Sequence, residues 1–248
     1  MRYVLIILTV SLGALGWAQQ QPPAPRPVLR IVHGLEKLGK AEPVVKMADD
    51  TRGFVARVAY DEQNLYVLFD VMTPNELVNS FMDWHTLFKG GNCLDIQLAA
   101  DPAADPARKE PAVGDLRVLV TRQGGKTVTV IYRPKVKDFK GQPIVFNTVN
   151  TISFDSIERD TTVELREYHR VPQGFSALVA LPLTTLGWTP KSGTTVKMDL
   201  GYRFGNSTGN QICLRTYWST NSFNSNVVYD VPCESRLEPD LWGMAMVE

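Results

Sequence analysis

The sequence predicts an all-β protein, an antiparallel β-sandwich of the jelly-roll kind with one or two short helical turns. Three observations carry that expectation. Short runs of alternating apolar and polar residues recur along the chain, with turn-forming residues between them roughly every 8 to 12 positions. No stretch keeps an amphipathic helical period over three turns. The length that follows the N-terminal segment, residues 28–248, suits one undivided sandwich domain.

The first residues, MRYVLIILTVSLGALGWAQQ, combine a basic start (Arg2), an apolar run from Tyr3 to Leu15 and small residues at Gly16 and Ala18. That is the pattern of a secretory signal peptide, residues 1–18, cleaved after Ala18. The run is too short for a comfortable membrane span, and no later segment approaches the roughly 18 uninterrupted apolar residues that one needs. Residues 19–27, rich in Gln and Pro, cannot pack and read as an extended leader. A secreted or periplasmic protein is expected. With 26 basic and 26 acidic residues there is no excess charge to draw a polyanion, so nucleic acid is not an expected partner.

Phe54 to Val71, FVARVAYDEQNLYVLFDV, holds two β-rich runs about the polar DEQN and reads as a hairpin. Its second run is apolar on both faces, as in a central strand. Asp83 to Asp101, DWHTLFKGGNCLDIQLAAD, places an indole, a glycine bend and an alternating strand in succession. Leu94, Ile96 and Leu98 share the core face, which sends Asp95 and Gln97 to the other. The loop that follows, AADPAADPARKEPAVGD, offers Asp101 and Asp105 to calcium. It lacks the dense oxygen-ligand spacing of a calcium motif and reads as solvated, so no cofactor is expected.

Asp115 to Arg133 is the clearest hairpin, turned at Gly124-Gly125, and its parity puts Arg117 on the non-core face as Asp95 is on its own strand. Lys135, Lys137 and Lys140 make a basic loop or edge strand. Thr161–Val171 and Gly174–Leu181 form a further antiparallel pair turned at Pro172-Gln173, and Pro182 to Trp188 is a helical turn closed by Gly187. Val196–Phe204 and Ile212–Ser219 continue the strand series about GNSTGN. Cys93, Cys213 and Cys233 are an odd set in an oxidising compartment. One pair at most can close, Cys213 with Cys233 being favoured over Cys93 at a strand start, and three free thiols are the alternative.

Catalysis finds little support. The three histidines, His33, His85 and His169, have no nucleophile or metal motif around them. Asp83 and His85 share a face of an extended segment, but no serine or cysteine nucleophile is implied nearby. A carboxylate pair for glycoside cleavage, Asp95 with Glu164 or Glu167, has no distinguishing spacing. The aromatic residues say more. A sugar ring has an apolar C–H face and an equator of hydroxyls, so it is held by flat aromatics with charged or amide groups at the rim. Trp84, Trp218, Asp95, Arg117 and Asn221 supply those types.

The segments RVAYDEQNLYVLFDV, W…GNCLDIQL, GDLRVLV, GFSALVALPLTTLGW and RTYWS…DVPCESRLEPDLWG, in that order, resemble the carbohydrate-binding module family 9-like domains of secreted bacterial proteins. The resemblance spans Val28 to Gly243. It implies a sugar-binding β-sandwich in which two tryptophans clamp the ring and acidic and arginine side chains line the rim. Residue by residue, Trp84 and Trp218 fall on the tryptophans, Asp95 on the acid and Arg117 on the arginine. The chain departs from the pattern in having Asp95 where Glu is usual, Ala177 where a later strand usually carries Glu, and a longer spacing from Trp84 to Asp95. The expected function is therefore non-catalytic carbohydrate binding, in company with a polysaccharide-degrading or cell-envelope partner. Two alternatives remain: a haem-binding relative of the same sandwich class using Met72, Met82 and His85, and a structural cell-surface interaction domain.

Overall fold

Hairpins form wherever two alternating runs flank a tight turn. In the computed structural model, which describes residues 28–147, 151–220 and 236–248, β1 (Val28–His33) is followed by a 3-10 helix (Leu35–Lys40), β2 (Val44–Met47), β3 (Gly53–Tyr60) and β4 (Asn64–Met72). A second 3-10 helix (Trp84–Lys89) leads into β5 (Cys93–Ala99), β6 (Asp115–Gln123) and β7 (Lys126–Arg133). Then come β8 (Ile144–Asn147), β9 (Thr151–Phe154), β10 (Ser156–Asp160), β11 (Glu164–Val171) and β12 (Gly174–Pro182). The chain continues through α1 (Leu183–Leu186), β13 (Thr195–Gly205), β14 (Ile212–Tyr217), a 3-10 turn (Pro239–Leu241) and β15 (Gly243–Val247). The signal peptide, the leader, Asn221 and Cys233 lie outside the described residues.

The strands follow one hydrogen-bonded path, β10-β7-β6-β5-β13-β15-β1-β3-β4-β12-β11, with β14 beside β13 and β2 beside β3. The path doubles back on itself as a sandwich. Leu94, Ile96, Leu98, Leu116, Val118, Val120, Met198 and Leu200 from one layer meet Val67, Phe69, Val71, Ala177 and Val179 from the other in a single core. Each of these side chains larger than alanine, once removed from water, contributes about 1.5–3 kcal/mol before the entropy of ordering is counted. Pairing is antiparallel except at β1, which runs parallel to both β15 and β3. That is the one departure from the expected all-antiparallel arrangement. β1 lies between β15 and β3, and a parallel neighbour needs a long connection, here residues 34–52 to reach β3 and most of the chain to reach β15.

The turn at Gly124 and Gly125 has φ of 54° and 80°, the doubly positive geometry that suits the twist of a two-residue hairpin and that glycine adopts without penalty. The expected helical turn is α1, closed by Gly187 in the left-handed conformation (φ 64°, ψ 27°), whose N–H is donated to the Leu183 and Thr184 carbonyls. Both outer faces of the sandwich carry cover. On one, Leu38 of the first 3-10 helix packs over Tyr66, Leu178 and Ala180. On the other, the Trp84–Lys89 helix, the β8–β9 hairpin and the C-terminal segment around Trp242 pack over Leu119, Val130 and Tyr132.

Candidate functional site

That second outer face is built by parity. On β5, β6, β13 and β14 the residues opposite to the core ones are Cys93, Asp95 and Gln97, then Arg117 and Leu119, then Lys197, Asp199, Gly201 and Arg203, then Arg215 and Tyr217. Most are polar, and all are buried beneath the cover. Asp95 and Arg117 meet as the parity of their strands requires. Arg117 Nε donates to both carboxylate oxygens, at 3.0 and 3.1 Å, and Arg117 Nη2 also donates to Oδ2. Tyr217 OH donates to Asp95 Oδ2 at 2.7 Å and accepts from Arg117 Nη2 at 3.1 Å and Arg203 Nη1 at 3.4 Å. Gly201 makes room for this, since a side chain there would collide with the Tyr217 ring.

Burial opposes the charge on Arg117, but Asp95 and Tyr217 beside it hold the guanidinium well above its ordinary value. Burial, and then the Asp95 charge, raise the Tyr217 phenol, and burial pushes the Cys93 thiol up to about 11. Arg203 Nη2 donates to the Phe88 carbonyl, which ties the network to the Trp84–Lys89 helix above it. The Arg203 Nε–H has no hydrogen-bond acceptor in its fully buried place, and an unmet buried donor is costly, the more so on a charged group.

Asp83 starts that helix. Its Oδ1 accepts the His85 N–H at 3.1 Å and its Oδ2 accepts from Thr86 Oγ1 at 2.9 Å, the ordinary N-terminal cap. Partial burial pulls the Asp83 carboxyl upward, yet the bonds from Thr86 and His85 hold it below the usual carboxylate range. Trp84 is half-buried. It packs on the outer cluster, and the His85 imidazole lies against it with ring centroids 3.7 Å apart and planes 26° from parallel.

Trp218 lies elsewhere. It is 6% exposed, belongs to the core between the layers, and lies over Gly243, where an added Cβ would be 2.6 Å from its ring. The two indoles are therefore on opposite sides of one sheet layer. They are not the facing jaws of a clamp that the sequence suggests, because Trp218 follows Tyr217 by one residue and takes the opposite parity. Asp95 and Arg117 are likewise enclosed partners of one another rather than an open rim.

Asp101 Oδ1 and Asp105 Oδ1 each accept a backbone N–H two residues on, from Ala103 and Ala107, both at 2.8 Å. Among the described residues, no group of three or more His, Cys, Asp or Glu side chains is placed to hold a metal ion. Asp95 shares no cleft with Glu164 or Glu167, which stand on the exposed strand β11 of the other layer. Met82 is 94% exposed and His85 Nδ1 lies 3.1 Å from Asp83 Oδ1. Cys93 and Cys213 carry free thiols.

Sequence reasoning missed Arg203, Tyr217 and Asp199. A signal was there: KMDLGYRF, residues 197–204, alternates polar and apolar side chains as CLDIQL does. Asp199 is fully buried and accepts the N–H groups of Leu200, Ser219 and Thr220, each at 2.9 Å. Burial pushes its carboxyl up to about 6 against the pull of these bonds and of the Thr220 side chain.

No protein-family model matches the chain, and no curated protein matches it. Solved structures do. A family 9 carbohydrate-binding module from Caldicellulosiruptor kristjanssonii in complex with cellotriose superposes with a TM-score of 0.56, over 90% of this chain and 94% of that one, at 12% identity. The fold is shared with that module. A family 9 module from the same organism in complex with glucose superposes with a TM-score of 0.51 over 90% of this chain and 96% of the other, at 10% identity. Among the described residues, no helix is long and apolar enough to cross a membrane.

Proposed function

We propose that the protein is a non-catalytic carbohydrate-binding module, exported by a signal peptide cleaved after Ala18, that holds a sugar ring at the indole of Trp84. The observation that carries this reading is the half-buried indole set beside a face lined with buried charges, in a fold shared with modules solved in complex with glucose and cellotriose. Replacing a buried ion pair by apolar residues is often neutral or stabilising, so stability alone gives little reason to keep such a network. In this reading Trp84 stacks on the apolar face of the sugar. Asp95 and Arg117 act beneath it, through Tyr217, Arg203 and the Phe88 carbonyl, fixing the turn on which the indole stands. A single stacking site with polar contacts taken from water favours weak binding, so tight retention comes from multivalency or from a polysaccharide-bound partner.

The test is a glycan array that includes glucose and cello-oligosaccharides. Trp84→Ala loses at least tenfold in retention while its melting temperature changes by only a few degrees. Trp218→Ala loses roughly 3–5 kcal/mol of stability from the core and keeps the sugar preference of the fraction that folds. Wild-type retention in Trp84→Ala rejects the site, and an array on which the wild type retains nothing favours the structural interaction domain.

A further inference from the structure

The Trp84 indole already has a ring on it. The His85 imidazole stacks on the indole at 3.7 Å between centroids, and its Nδ1 edge lies 3.1 Å from Asp83 Oδ1. A flat face on an indole and a polar edge on a carboxylate are the two contacts that a pyranose makes with a platform and its rim. Both Asp83 and His85 reach solvent, their side chains being 55% and 39% exposed. Neither side chain is locked into the interior, in contrast to Asp95 and Arg117 at 0% and 2%.

We propose that Asp83 and Trp84 together form the sugar subsite, and that the His85 imidazole is its resident occupant, displaced when a pyranose ring binds. The proposal rests on the reading of Trp84 as a sugar platform. It adds a rim acid, Asp83, next to the indole in sequence where Asp95 is 11 residues on, and it adds a competitor built into the same turn. The longer spacing between Trp84 and Asp95 then has a local consequence: the carboxylate beside the indole comes from its own helix cap instead of from the strand. Displacement needs only a side-chain rotation, because the His85 N–H that Asp83 also accepts belongs to the backbone and stays in place. Ring stacking and an exposed hydrogen bond are both weak contacts, so the competitor lowers affinity by roughly three- to tenfold without closing the site.

The experiment titrates cellotriose into the intact protein and its variants, following the Trp84 indole N–H resonance, assigned by its loss in Trp84→Phe. His85→Ala binds roughly three- to tenfold more tightly than the wild type. Asp83→Asn, which keeps an oxygen to cap the helix, binds several-fold more weakly. An unchanged or weaker Kd in His85→Ala overturns the proposal, as does an unchanged Kd in Asp83→Asn. Wild-type retention on the glycan array by Trp84→Ala identifies a different failure, that of the platform reading itself. Absence of binding in both the wild type and His85→Ala, for cellotriose and for every sugar of the array, rejects the two together.

Discussion

Asp199 shows how a single buried group sets the pH response of this fold. Its carboxyl is pushed up to about 6 by burial, against about 3.9 in an unfolded chain. The native state therefore holds the proton more firmly than the unfolded state, and the sign follows. The group's full contribution is present below about pH 4 and is lost as pH rises to about 6, an amount of about 3 kcal/mol. Denaturant unfolding at pH 4 and pH 7 measures it, and Asp199→Asn flattens that part of the profile. A wild-type curve that rises steadily from pH 4 to 7 with no difference from the variant contradicts it. The same scale shows what the sequence could and could not convey. Period-two parity placed Asp95 and Arg117 on one face, and they pair there. Parity says nothing of what lies over that face, so their burial under the Trp84–Lys89 helix and Trp242 was not legible, nor was the placement of Trp218 in the core.

At the level of the element, the β11–β12 hairpin shows how tightly the strands are set. Gly174 starts β12 and faces Met72 of β4, and a Cβ there would collide with the Val71 carbonyl oxygen. Because backbone cannot yield as a flexible side chain does, Gly174→Ala costs roughly 1–3 kcal/mol and lowers the melting temperature by several degrees. Gly39→Ala, with nothing within 4 Å of the added carbon, is the control and leaves the melt unchanged. Hairpins with a strong turn signature, β3–β4, β6–β7 and β11–β12, are legible to within about three residues of their observed ends. Four of the strands of four or five residues, β2, β8, β9 and β10, are not. They are too short to show an alternation, and none has more than one buried residue.

Over the whole molecule, the decisive joint is the one between the first and last described strands. β1 lies between β15 and β3, and Glu248 adds to the seam by donating its N–H to the Ile31 carbonyl at 2.9 Å and by an ion pair with Arg30 at 2.7 Å. Deleting residues 243–248 removes a strand that is hydrogen-bonded on both sides, together with the buried Ala245 and Val247. The expected product gives no cooperative thermal transition by circular dichroism and is cut rapidly by protease. A truncated chain that melts as sharply as the intact one would show that the seam is dispensable. Loop-closure entropy makes this joint the costliest to form, since its partners are separated by nearly the whole described chain. A parallel seam of that kind also acts as a clock on biosynthesis: the layers cannot be sealed until β15 has left the ribosome, so the sandwich stays open while residues 28–247 are being made.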